Sequence, residues 1–426
     1  MMSDLSEQIP AMLYGQGDRL APLRQVIQAL GNPDQKVKIV HLAGTNGKGS
    51  TSTMIAQLLR SHGMRVGLFT SPHLYSERES VQVDGQLIDA STFQVLLNKI
   101  SQVESGLNLP DEQRLSQFEL TFVVALCYFA QEACDWVVLE CGLGGELDAT
   151  NAIGRSEYSI FTKIGLDHVN LLGDTIEEIA QTKAGIMRPN QTVIIAPNQQ
   201  PEVVKALIER ADEFDNSWIY LAKPLTKLQE GSTYQVALPN VEPFKMQLGL
   251  RGNFQAENLT TAMLFYQAWL TAQGYVLDPD HLKTVLKEIS LPGRYERVSS
   301  EPTIILDACH NLDAVAATVE TLQREFKGQR LHVICGFLKD KDVTAMVHLL
   351  DQLDADFILT QPDFPERTLP VDELAKIFKA EGIEAPTFTD PREAVTDALD
   401  RQHDPIIILG SFHLIKCVRR MWRDEY

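Results

Sequence analysis

The chain has 426 residues, 44% hydrophobic and 22% charged, which excludes a wholly disordered or collagen-like protein. Its 38 Lys and Arg against 57 Asp and Glu leave a formal charge of −19. General binding to nucleic acid or to anionic membranes is therefore not expected, although a local basic pocket for a small anion stays open. The six cysteines include no C-x-x-C pair and read as reduced thiols, which points to the cytoplasm. Residues 1–18 carry acids and lack the apolar run of a signal peptide. No stretch approaches the ~18 uninterrupted apolar residues of a membrane helix.

In chain order, short apolar strands are predicted at 38–43, 66–69, 136–140, 158–164 and 192–196, alternating with helical stretches. Residues 118–130 read as a buried helix despite Glu119. The segment 232–253 alternates polar and apolar residues and predicts antiparallel strands, and 256–273 reads as an amphipathic helix. Pro, Gly and Ser at 291–302 mark a domain boundary near residue 297. A second strand series follows at 303–307, 331–335, 357–360 and 406–410. The fold class is α/β: an N-terminal domain (1–296) with a mostly parallel sheet and a small antiparallel one, and a smaller C-terminal α/β domain (297–426). Loops of small, polar or ionisable residues follow the strands at 43, 69, 140, 164, 307 and 410. Ligands bind beyond the carboxyl ends of parallel strands, so a site between the two domains is expected.

The strongest local signal is AGTNGKGSTST from residue 43, between a strand and an apolar-periodic helix. Gly44, Gly47 and Gly49 let backbone amides turn around phosphate, Lys48 supplies a point charge, and Ser50 or Thr51 offers a hydroxyl to Mg²⁺. The spacing departs from G-x-x-x-x-G-K-[ST], because Leu42 stands at the first glycine position and Gly49 separates Lys48 from Ser50. Glu140 ends a strand, where a carboxylate either contacts a nucleotide's metal or is a solvated terminus. Asp167 and His168 follow the next strand, and His168 is a metal-ligand candidate. Thr175 and Glu178 form a capping box opening a helix. On that helix Lys183 shares a face with Ile176, Ile179 and Ile186, so it either snorkels or is a functional, modified lysine. Asp307 with His310 can position a nucleotide or shuttle protons; the alternative is a helix cap by Asp307 or Asn311. Arg294, in the linker, could reach a phosphate or simply lie at the surface.

Taken together, these blocks resemble the folylpolyglutamate synthase and dihydrofolate synthase family of the Mur-ligase superfamily. The likeness runs through HLAGTNGKGS (41–50), LFTSPHL (68–74), ECGLGGELDATN (140–151), IGLDHVNLLGDTIEEIAQTKAGIMRP (164–189), LRGNFQAENLTTA (250–262), LPGRYE (291–296), LDACHN (306–311) and GSFHL (410–414). It implies a P-loop ATPase domain and a smaller Rossmann-like domain with ATP in the cleft between them. It also implies that Gly47, Lys48, Gly49 and Ser50 bind phosphates, with Asn258, Arg294 and Asp307 at the nucleotide. Ser50, Ser71, Glu140 and His168 match magnesium-site positions. Lys183 matches a lysine that is carbamylated in this superfamily, and His310 matches a histidine at the active-site edge. Lys48, Lys183, His310 and Asp307 are thus the catalytic candidates. Three blocks depart from the family pattern: Ser80 and Glu146 stand where arginines are usual, and Ala308 and Cys309 alter the usual D-G-A-H-N block.

The implied activity is ATP-dependent ligation of L-glutamate to tetrahydrofolate and its polyglutamates through an acyl phosphate, with dihydropteroate as a further acceptor. The partners are small molecules, the cofactor is Mg²⁺, and a monomer is expected. One alternative is a Mur-type ligase acting on a nucleotide-linked precursor, for which the 37 residues before the first strand leave no room for an extra domain. The other is a nucleotide-dependent switch, although the chain has no N-K-x-D guanine motif.

Overall fold

A computed structural model describes Tyr14 and residues 16–238, 241–402 and 404–422. The chain forms two compact units that interleave along the sequence. The first comprises residues 1–226, 237–242 and 256–286, the second residues 227–236, 243–255 and 287–426. Residues 287–296, assigned from sequence to the first domain, thus pack with the second unit.

The first unit is built on an eight-stranded sheet: β1 (Lys38–Ala43), β2 (Val66–Phe69), β3 (Val81–Val83), β4 (Gln86–Leu87), β5 (Trp136–Glu140), β6 (Tyr158–Phe161), β7 (Thr192–Ile195) and β8 (Ser217–Tyr220). Their order is β4-β3-β2-β5-β1-β6-β7-β8. The ladders from β2 to β8 are parallel, while β3 and β4 pair antiparallel at one edge. Every residue of β5 is buried, as a central strand covered on both faces requires, and WVVLE is accordingly almost wholly apolar. One face packs on the helices Leu20–Ala29, Ala90–Gly106 and Gln117–Gln131. The other half of the sheet packs on Ile176–Ala184 and Pro201–Glu213. The Gln117–Gln131 helix is the expected buried one, and its Glu119 is satisfied. It caps the helix reciprocally with Ser116 and holds Arg19 through both carboxylate oxygens, at 3.0 and 2.7 Å.

The second unit holds a five-stranded sheet: β12 (Glu296–Ser300), β13 (Thr303–Asp307), β14 (Leu331–Cys335), β15 (Ala355–Leu359) and β16 (Ile406–Leu409). The order is β12-β13-β16-β14-β15, parallel except for the β12–β13 pair. The small sheet β11-β10-β9 consists of β9 (Thr226–Glu230), β10 (Thr233–Val236) and β11 (Phe244–Gln247). It is held within this unit by Arg324, which donates to the Leu228 and Gln229 carbonyls at 3.0 and 2.6 Å. Tyr234 Oη adds a bond to the Gly252 carbonyl at 2.8 Å.

Candidate active site

In the first unit, β2, β5, β1 and β6 are consecutive parallel neighbours. The loops after them therefore emerge side by side at one edge, which brings together the sequences that begin at Gly44, Thr70, Cys141 and Thr162. Only four of the six expected loops share this edge. The loops after β13 and β16 lie beside each other in the second unit.

The glycine loop is shaped by close approaches. Gly47 has φ +87°, and a Cβ there would stand 2.1 Å from Asn258 Oδ1, so only glycine fits while Asn258 lies against the loop. Thr45 Oγ1 donates to the Gly165 carbonyl and accepts from the Gly165 amide, at 3.0 and 3.1 Å. The Thr45 and Asn46 amides both donate to the Lys163 carbonyl. These bonds tie the loop to the segment carrying Asp167 and His168. They also end β6 at Phe161 instead of the expected residue 164, because Lys163 pairs with Asn46.

Two lysines meet at this loop. Lys48 Nζ and Lys183 Nζ each donate to the Gly44 carbonyl oxygen at 3.0 Å. Lys183 is 3% exposed, so it does not snorkel. Burial, reinforced by the Lys48 charge, pushes its ammonium down to about 7. A large fraction of the Lys183 amine is thereby neutral near neutral pH.

Glu140, at the end of β5, is 2% exposed and accepts from the Ser71 amide at 3.3 Å. It is a buried strand end, not a solvated one. His168 has φ +50° and starts the short helix Val169–Leu172, with its ring 3.8 Å from Asp167. Ser50, Thr51 and Ser52 are buried in the first turn of the helix Lys48–Arg60. The candidate metal-site groups among these are the Glu140 carboxylate, the Ser50 and Ser71 hydroxyls and the His168 imidazole. Among the described residues no three His, Cys, Asp or Glu side chains form a ready-made metal cluster. That set fits Mg²⁺, which commonly takes one or two carboxylates from protein and completes its shell with phosphate and water.

In the second unit, Asp307 is 4% exposed and accepts from Thr318 Oγ1 at 2.7 Å. Burial pushes its carboxyl up, while Thr318, the Arg294 charge and the Tyr295 and Cys309 amides pull it back. Arg294 lies over the Phe412 ring at 4.3 Å, and the His310 ring is 6.0 Å from the same ring. His310 Nδ1 is 2.8 Å from the Ala308 carbonyl and so carries the proton there. Asn311 caps the helix Leu312–Glu325 through the Ala314 amide. The cap alternative thus applies to Asn311 and not to Asp307.

The two altered arginine positions differ in setting. Ser80 is buried and ends a short helical turn whose Glu79 carboxylate accepts from the Leu74, Tyr75 and Ser76 amides. Glu146 is exposed, and its amide donates to the Thr182 carbonyl at 2.8 Å. Sequence reading missed the buried side chains of His41, Asp148 and Thr150 behind this edge. A histidine inside the otherwise apolar strand KIVHLA was the available signal.

The family described as Mur ligase middle domain matches residues 42–266, and that described as Mur ligase, glutamate ligase domain matches 293–412. The folylpolyglutamate synthase of Lacticaseibacillus casei is 30% identical over 93% of this chain and 92% of its own length. The chain belongs to the folylpolyglutamate synthase/dihydrofolate synthase family of Mur ligases. It is an ATP-dependent ligase. The crystal structure of Mycobacterium tuberculosis folylpolyglutamate synthase complexed with ADP and AMPPCP is similar at a TM-score of 0.86 and 29% identity, over 96% of both chains. The bifunctional folylpolyglutamate synthase/dihydrofolate synthase from Yersinia pestis, complexed with AMPPNP and Mn ion, is similar at 0.80 and 27% identity, over 95% of this chain and 94% of that one.

Proposed function

We propose that this ligase joins the amine of L-glutamate to a carboxylate of tetrahydrofolate and of its polyglutamates, with dihydropteroate as a second acceptor. The observation that carries this reading is the convergence of Lys48 and Lys183 on the Gly44 carbonyl, beside the buried Glu140. Such an edge favours a phosphate-bearing ligand, because the Lys48 ammonium and the amides at the start of its helix present positive charge to an anion. A folate carboxylate oxygen attacks the γ-phosphorus of ATP, the bond to the β-phosphate bridge breaks, and ADP leaves. The glutamate amine then attacks the acyl carbon of the acyl phosphate, and inorganic phosphate departs. Phosphoryl transfer of this kind depends on positioning and charge neutralisation more than on covalent help.

In this reading Gly47, Lys48, Gly49 and Ser50 bind the ATP phosphates, and Asn258, Arg294 and Asp307 contact the rest of the nucleotide. Ser50, Ser71, Glu140 and His168 hold Mg²⁺, which supplies charge neutralisation when bound. The neutral Lys183 amine adds to carbon dioxide, losing a proton, and becomes a carbamate. That converts a buried neutral amine into an anion facing Lys48. His310 lies at the edge of the second unit's contribution. We place the change of functional domain between residues 266 and 293, supported by family matches that end at the first and resume at the second. The working form is a monomer in the cytoplasm. No helix among the described residues is long and apolar enough to cross a membrane.

The test is Mg²⁺- and ATP-dependent incorporation of labelled L-glutamate into tetrahydrofolate and, in parallel, dihydropteroate. Product on both supports the full reading, and product on tetrahydrofolate alone removes the second acceptor. Product on neither, from folded ATP-binding protein, overturns the assignment.

A further inference from the structure

Behind the site edge lies a chain of three buried polar side chains with no role in the reading above. His41 on β1, Asp148 and Thr150 are each 0% exposed. His41 Nε2 is 2.9 Å from Thr150 Oγ1, and Thr150 Oγ1 is 2.6 Å from Asp148 Oδ1. The Thr150 amide also donates to Asp148 Oδ1 at 2.9 Å, and the Leu143 amide donates to Oδ2 at 2.7 Å. The threonine hydroxyl has one proton, and the carboxylate takes it. His41 must therefore donate, so its proton sits on Nε2 and Nδ1 is bare. His41 Nδ1 indeed has no hydrogen-bond partner. Burial, with a smaller contribution from Arg188, pushes the imidazole down to about 3, which keeps it in this neutral form. Cys141 Sγ lies 3.2 Å from the same Nε2, directly after Glu140. Chains of hydrogen bonds in a low-dielectric interior polarise and strengthen one another.

The chain ends on the turn that touches Lys183. A Cβ at Gly145 would stand 2.6 Å from the Lys183 carbonyl oxygen and 2.8 Å from Lys183 Cα. The Glu146 amide donates to the Thr182 carbonyl at 2.8 Å. Asn151 Nδ2 donates to the carbonyls of Glu146 and Gly185 at 2.8 and 3.1 Å. The turn 141–148 is thus clamped between Asp148 on its inner side and the backbone of the lysine helix on its outer side.

We propose that His41 and Thr150 are positioning residues which, through Asp148, seat the turn 141–148 on the backbone of Lys183 and so set where its amine stands. The consequence for catalysis rests on the ligase reading above. The hydroxyl proton of Thr150 is the essential element, not its bulk, because valine fills the same volume without donating.

The test compares Thr150→Val with Thr150→Ser, and His41→Leu with His41→Gln, whose amide N–H can stand where Nε2–H does. Backbone amide exchange reads the seating directly. In Thr150→Val the Leu143 and Glu146 amides should exchange at least ten-fold faster, with Val40 on β1 unchanged, and Thr150→Ser should restore the wild-type rates. In the glutamate-incorporation assay Thr150→Val should lower kcat at least ten-fold with KM for ATP within about three-fold, and Thr150→Ser should recover most of kcat. Unchanged exchange in a folded Thr150→Val, or equal damage from serine and valine, overturns the proposal. If Thr150→Val does not fold, the histidine pair decides: His41→Gln must outperform His41→Leu in both readouts, and equal behaviour overturns it. A wild-type protein that incorporates no glutamate sinks the ligase reading, while the exchange comparison still decides the positioning.

Discussion

The carboxyl edges of the two parallel sheets solve opposite charge problems. At the eight-stranded sheet two lysines share one carbonyl, and one of them is buried to the point of losing its proton near pH 7. At the five-stranded sheet a single carboxylate, Asp307, is buried but surrounded by its own donors: Thr318, two backbone amides and the nearby Arg294. The first edge relieves like-charge repulsion by shedding the Lys183 proton, whereas at the second the donors offset part of what burial costs the Asp307 carboxylate. A desolvated cation beside another cation is costly for the fold, so its presence is a stronger pointer to chemistry than a satisfied acid. In the function proposed above, the first edge handles the transferred phosphate and the second holds the nucleotide in a preset place.

The largest effect that would break this contrast is on Lys48. Lys48→Ala should lower kcat/KM for glutamate incorporation by ~10²–10³-fold, the range for losing one preorganised charge-stabilising donor. A folded variant within ten-fold of wild type would show that the first edge does not neutralise phosphate. Lys183 comes next and adds a pH signature. Its folded value lies below the ordinary lysine value, so the unfolded chain binds the extra proton between about pH 7 and the ordinary lysine range. Stability contributed by this site therefore rises with pH across that window and is lowest below about 7. In the metal- and bicarbonate-free protein, Lys183→Met should unfold at higher denaturant than wild type at pH 6, with the gap shrinking toward pH 10. A gap that does not change with pH would show that Lys183 is not the desolvated group. The same variant should lose glutamate incorporation at every pH.

Asp307→Asn should be milder. Losing a charged hydrogen-bond acceptor is worth ~1.5–3 kcal/mol, so KM for ATP should rise by roughly 10- to 150-fold with little change in the pH profile. An altered pH profile would mean that the second edge also handles protons and that the contrast is wrong. Smallest is Glu146→Arg. Because Glu146 is exposed, the reversed charge should improve KM for anionic polyglutamylated acceptors only a few-fold, and less at high salt. No change at low salt would place the acceptor's carboxylates away from this turn.

Much of the first edge is legible in the residues alone, for a definite reason. KIVHLA and WVVLE are apolar because both faces of a central parallel strand are covered, and the glycine loop is contiguous in sequence with the strand and helix that hold it. The oddity of Lys183 is visible as one charge on an apolar helical stripe. Strand ends are less legible. YSIFTKI reads as seven residues of strand, yet Lys163 leaves the ladder to bond Asn46, a partner 117 positions away. The grouping of 227–236 and 243–255 with the second unit rests on partners far downstream: Arg324 for Leu228 and Gln229, Glu325 for Arg251, and Thr321 for the Asn253 amide.

The sequence by itself therefore determined the fold class, the central parallel strands with the loops after them, and the family, because each rests on local periodicity and on contiguous motifs; the edge strands β3, β4, β8 and β12 were not read from it. It left open whether Lys183 was snorkelling or buried, whether Asp307 or Asn311 capped a helix, and why a histidine sits inside β1. Only the tertiary structure decided these. Desolvation and hydrogen-bond partnership are properties of packing between distant segments: Gly44 meets Lys183, Asp307 meets Thr318, and His41 meets Thr150 only once the sheets and helices are assembled.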